Sequence, residues 1–139
     1  MSKSRVILAE YFTTENLTLL FIVRADFTEP QVVEIPGSLA ALRDYVTAHF
    51  SATADSSRVR TLDEAEFQER CAPFIAPVLP WTAEGDIIWL VPHDVLHYLP
   101  LHAVRVEGPA GHPHLIERNP ICYSPSASVM QYCHARRKP

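Results

Sequence analysis

The stretch "VPHDVLHYLPLHAV", residues 91–104, sets His93, His97 and His102 directly behind an apolar run, "DIIWLV". Imidazole nitrogens bind zinc and transfer protons near neutral pH, so the first questions are whether this is a metal site or a catalytic centre. His93 and His97 are four apart, the spacing that puts two ligands on one helical face, and His112, His114 and Cys122 follow. Three features weigh against ligation. Pro92 and Pro100 bracket the pair and disfavour a regular helix, no HExxH is present, and "GHPH" falls in a turn. The residues favour structural histidines that satisfy backbone groups around the two proline turns. A small metalloprotein built on His93, His97 and Cys122 is the alternative.

Nucleophilic chemistry has five candidates, Ser124, Ser126, Cys71, Cys122 and Cys133. There is no GxSxG, and a serine between a strand and a helix, as Ser126 is, is expected as an N-cap. Cys133 adjoins His134, but neighbouring helical residues point about 100° apart and cannot form an activated pair. Cys122, inside an apolar run, is expected to be buried, neutral and inert. Asp63, Glu64, Glu66 and Glu69 favour a helix start, and the chain has only 4 glycines, unclustered, so no phosphate loop is indicated. No catalytic, cofactor-binding or metal residue is assigned, and no cofactor is expected.

The elements that must position these residues come from pattern. Residues 6–12 and 17–24 are rich in β-branched and aromatic residues around "TTEN" and predict an antiparallel hairpin, which "QVVEI" at 31–35 extends into a meander. From Ser38, Leu39, Leu42, Val46 and Phe50 repeat at helical spacing. Residues 51–60 read as an exposed loop that tolerates cleavage or insertion. Thr61 with Glu64 predicts a capping box and a second helix burying Phe67, Cys71, Phe74 and Ile75, which Pro73 and Pro77 should interrupt. "DIIWLV" is apolar throughout, as in a strand covered on both faces of a parallel sheet. A hairpin of "HAVRV" and "HLIER" around "EGPAG" should follow, then a parallel strand at 121–124 and a helix with Val129, Met130 and Cys133 on one side.

A length of 139 residues and 47% hydrophobic content fit one domain. Its parts would be a meander (1–36), a helical segment (38–80), and sheet strands with hairpin and helix (86–139). A net charge of −4 gives no footprint for nucleic acid or anionic lipid. The one basic run, Arg136-Arg137-Lys138, suits a helix C-terminus. Three cysteines without CxxC, no signal peptide and no spanning segment predict a soluble protein of the reducing cytoplasm. Two parallel strands with few covering helices do not complete a layered domain.

Two linked segments then take on meaning together. The CHAT domain, a caspase-fold family of cysteine peptidases related to separases and often joined to tetratricopeptide repeats, shows an apolar strand running into Pro-His-Gly or Pro-Asp-Gly. Leu-His-x-Leu-Pro-Phe-x-Ala-Leu follows. This chain resembles it at Pro92, His93, Asp94, Leu96, His97, Leu99, Pro100, Leu101, Ala103 and Val104. The family's next motif, Leu-x-Glu-(Arg/Lys) leading to x-Tyr-x-Pro-Ser-(Ala/Leu)-(Ser/Thr), is matched by Leu115, Glu117, Arg118, Ile121, Tyr123, Pro125, Ser126, Ala127 and Ser128. Departures are Asp94 where glycine is usual and Asn119-Pro120 before the second strand.

The resemblance implies a caspase-like α/β fold, incomplete here, with an N-terminal antiparallel meander and the start of a parallel sheet. The family's working histidine, in a His-Gly pair, and its cysteine follow later strands, and neither motif occurs in this sequence. The chain would then be the N-terminal portion of a CHAT-type peptidase, separately encoded or released by cutting after Lys138. Its implied partners are a C-terminal portion carrying the Cys-His dyad and, given the family's habit, a tetratricopeptide-repeat protein; nucleic acid and membrane are not expected. A non-catalytic protein interaction module is the rival class.

Overall fold

The computed structural model describes residues 4–50, 62–108 and 111–136; the expected loop at 51–60, Thr61 of the expected capping box, and Arg137 and Lys138 lie outside them. The N-terminal meander forms as its β-branched and aromatic runs predict: β1 (Val6–Thr13), β2 (Leu17–Arg24) and β3 (Gln31–Pro36) pair antiparallel in sequence. Ile7, Ala9, Tyr11, Leu20, Ile22 and Ile35 turn to one side and are buried there. Ser38 caps α1 (Leu39–Phe50), its Oγ accepting from the Ala41 amide at 3.2 Å, and Leu39, Leu42, Tyr45 and Val46 enter the core.

The second helix, α2 (Glu64–Ile75), is capped by Asp63, whose carboxylate accepts from the amides of Ala65 and Glu66. Pro73 does not interrupt it, contrary to the expectation from sequence. An interior proline costs about 3 kcal/mol. Phe67, Cys71, Phe74 and Ile75 are all buried, and each large apolar side chain returns roughly 1.5–3 kcal/mol on burial. Burial wins, and Pro73 occupies the last turn. Pro77 lies beyond the helix, before a 3-10 turn at Leu79–Trp81.

β4 (Ile87–Val91) and β5 (Ile121–Tyr123) complete a five-stranded mixed sheet of order β3-β2-β1-β4-β5. β4 pairs parallel with β1 on one side and with β5 on the other, as expected for a strand inside a parallel sheet. Between them the expected hairpin forms only in part. Residues 94–98 and 101–103 are 3-10 turns, so the first arm starts late, and the pairing runs through bridges of Arg105 with His114 and Gly108 with Gly111, the Leu115 amide donating to the Val104 carbonyl at 2.8 Å and the Val106 amide to the Pro113 carbonyl at 2.9 Å. "LIER" is a helical turn, α3 (Leu115–Arg118), because Glu117 reaches back to accept from the His114 amide at 2.7 Å while Leu115 is fully buried. Local capping here outcompetes strand pairing. After β5, Ser126 accepts from the Val129 amide at 3.1 Å and starts α4 (Ala127–Ala135), the cap that its position predicts.

At the amino ends of the parallel strands sits a polar latch. Buried Asp86 accepts from the amides of Ala83 (2.8 Å) and Arg5 (3.0 Å) and from the Arg5 guanidinium. Asn119, also buried, donates to the carbonyls of Ala83 and Asp86, both at 2.8 Å. The latch ties the starts of β1, β4 and β5 together.

From β1 to β4 to β5 the sheet grows in one direction, and crossovers of one hand that step one way fall on one face. Accordingly α1, α2, α3 and the 3-10 turns pack on the face of Ile7, Ile88 and Leu90 in a single hydrophobic cluster. The opposite face carries Leu8, Leu19, Phe21, Val23, Trp89 and Cys122, all only half-buried, with Val6, Phe12 and Val32 at 50% exposure or more. Of the described elements only α4 approaches it, leaving a cleft lined by Val6, Trp89, Val129, Met130 and Cys133. "DIIWLV" was expected to be covered on both faces; these residues cover one. None of the described helices is long and apolar enough to cross a membrane.

Candidate functional site

Because β1, β4 and β5 run parallel, their carboxyl ends gather at one edge, the position where open α/β sheets place their ligands. The histidine-rich stretch begins there. The His93 ring stacks on Phe12 with centroids 4.9 Å apart. Its Nδ1 accepts from the Thr13 amide at 3.1 Å and lies 2.8 Å from Thr13 Oγ1. An Nδ1 that accepts carries no proton, so the neutral ring holds its hydrogen on Nε2. His93 thus satisfies the backbone at the end of β1, the architectural role expected of it.

Asp94 adopts φ of +52°, a left-handed conformation that aspartate tolerates better than most residues. Its carboxylate pairs with Arg43 of α1 at 2.7 Å. The aspartate thereby joins the turn to the helix. Val95, Leu96, Leu99, Leu101 and Val104 are buried beneath the sheet. His97 is exposed.

The remaining histidines point elsewhere. His102 Nδ1 lies 2.9 Å from the Tyr123 hydroxyl, which also accepts from the His102 amide, joining the second proline turn to β5. Burial pushes the Tyr123 phenol up, against the opposing pull of the His102 and Leu101 amides. His114 faces Glu117, whose carboxyl is held low by the His114 amide. His112 is exposed. Among the described residues no three His, Cys, Asp or Glu side chains come together as a metal site, so the alternative set His93, His97 and Cys122 is not assembled.

The thiols are equally dispersed. Cys71 is wholly buried, and burial pushes its thiol up to about 12. Cys122 is half-buried on the open face, less enclosed than its apolar run predicts, because nothing among the described residues covers that face fully. Cys133 is exposed on α4. No hydrogen bond joins a cysteine to a histidine among the described residues, and Ser124 Oγ donates to the Ser126 carbonyl at 2.8 Å rather than to a base. Alkylation with iodoacetamide should run Cys133 first, Cys122 next and Cys71 last by orders of magnitude, read by mass spectrometry; fast labelling of Cys71 would contradict its burial.

Among the described residues the edge is a set of hydrogen-bonded turns around His93 and His102. Sequence reasoning missed the Phe12–Thr13–His93 contact, which joins residues 80 apart and leaves no local signal. It also missed Glu10, the one acidic residue of β1, on the open face. The break in the apolar run "VILAEYF" was the available clue. A scan against protein-family models finds no match to this chain, and a search of curated proteins finds none.

Proposed function

We propose that this chain is the scaffold portion of a CHAT-type, caspase-like cysteine peptidase whose Cys-His dyad is carried by a downstream or partner polypeptide. One observation carries the reading: a sheet with a complete helical layer on one face and an apolar, half-exposed second face. Parallel strands are ordinarily covered on both faces, so the missing layer calls for more polypeptide. The outer edge of β5 is unpaired among the described residues, a place for the next strand.

In this reading the stretch 91–104 is a rigid corner. His93 locks the end of β4 to β1, and the leucines hold the corner against the core. The partner's histidine would take the proton of the partner's cysteine, whose thiolate attacks the peptide carbonyl while backbone amides stabilise the oxyanion. This chain fixes the strands from which those groups project. Three free thiols suit a reducing cytoplasmic setting.

Co-expression with the polypeptide encoded downstream should yield peptidase activity that neither part has alone and that substitution of the partner's cysteine abolishes. A stable co-complex that remains inert would favour the rival reading, an interaction module, which the same open face also supports. Expressed alone, the chain should be poorly soluble or aggregate; a monodisperse, stable monomer would count against both.

A further inference from the structure

We infer that the open sheet face receives amphipathic helices of the covering polypeptide, and that one Lys or Arg on those helices pairs with Glu10. The identity of that polypeptide rests on the function proposed above; the chemistry of the contact rests on the face itself. Glu10 sits at the middle of β1, the central strand, and its side chain points to the uncovered side between Leu8 and Phe12. Its register partners are Phe21 on β2 and Val91 on β4. The carboxylate is thus half-buried with apolar residues along its strand and directly across both neighbours, and it makes no ion pair with any described residue.

Covering this face with apolar side chains alone would bury an ionised carboxylate without a partner or force it to take up a proton, and either is costly. A cation on the covering layer removes that cost and fixes the register of docking. The strands of a second copy cannot supply it. The other strand residue with charge on this side is Glu34, and no Lys, Arg or His of β1 to β5 points there, so two such faces together set carboxylate against carboxylate. Helices fit better than a second sheet, because parallel strands are covered by helices and α4 already lies beside Trp89 and Val6 on this side.

The test is a charge swap with the polypeptide encoded downstream. Glu10→Lys should weaken co-complex formation by about 30-fold, and changing one particular Lys or Arg of that polypeptide to Glu should restore it; restoration also shows that the Glu10→Lys chain folds. An unweakened complex, or a loss that no single reversal rescues, overturns the inference. Should the downstream polypeptide not bind at all, the proposed function fails, and the face is read independently by carbodiimide labelling of the protein purified from its native source. Loss of labelling at Glu10 relative to exposed Glu15 and Glu84 supports a covered, paired carboxylate; labelling of all three alike overturns it.

Discussion

Asp86→Ala should destabilise the fold by about 2–4 kcal/mol, the range for stripping a buried, charge-assisted acceptor from its donors. The substitution leaves the Ala83 and Arg5 amides and the Arg5 guanidinium without their partner at the start of three strands. Burial alone would raise the Asp86 carboxyl, but these bonds outweigh it and hold it below the usual carboxylate range. A group whose folded value is depressed contributes stability that is present above its unfolded value, near 3.9, and lost as pH falls through the lower folded one. Urea melts of the wild-type chain should therefore weaken below about pH 4, and those of Asp86→Ala should lose this part of the pH dependence. Arg43→Ala is the control. It removes the half-exposed pair with Asp94 and should cost no more than about 0.5 kcal/mol. A small effect at Asp86 would mean that the latch does not hold the strand starts.

The second large effect separates architecture from chemistry within the histidine-rich stretch. Leu101→Ala should cost about 2–5 kcal/mol, because the side chain is fully enclosed and its removal leaves a cavity that the surrounding core fills only in part. His97→Ala, four residues away and exposed, should stay within about 0.5 kcal/mol. Thermal or urea unfolding of the two variants decides it. The reverse ranking would show that imidazole at 97 holds a structural or metal contact absent from the fold described above.

Much of this architecture is legible in the residues. The β-branched and aromatic runs "VILAEYF" and "LTLLFIVR" around a short turn announce the hairpin, and Ser38 and Ser126 cap the helices that they precede. What misled was competition between local and distant terms. Pro73 reads as a break, but four buried side chains of α2 outweigh one lost amide bond. "HLIER" reads as a strand, yet a carboxylate three residues from His114 closes a turn at smaller entropic cost than pairing across a loop. The site was less legible than the fold. The His93–Thr13 contact depends on bringing β4 beside β1, which no local pattern announces. "DIIWLV" carried a different message: its continuous apolarity speaks of burial on two sides, and one of those sides is open here.

The sheet order also sets a timetable. β1 lies in the middle, so its antiparallel border with β2 closes across a turn of three residues, Thr14 to Asn16, while its parallel border with β4 waits for Ile87 to meet Val6. During synthesis the meander can therefore assemble early as a thin ribbon, apolar on both sides and half-zipped along its most buried strand. Each nascent chain must pass through that sticky interval, and its yield in the cell will depend on how quickly ribosome and chaperones carry it to the second border.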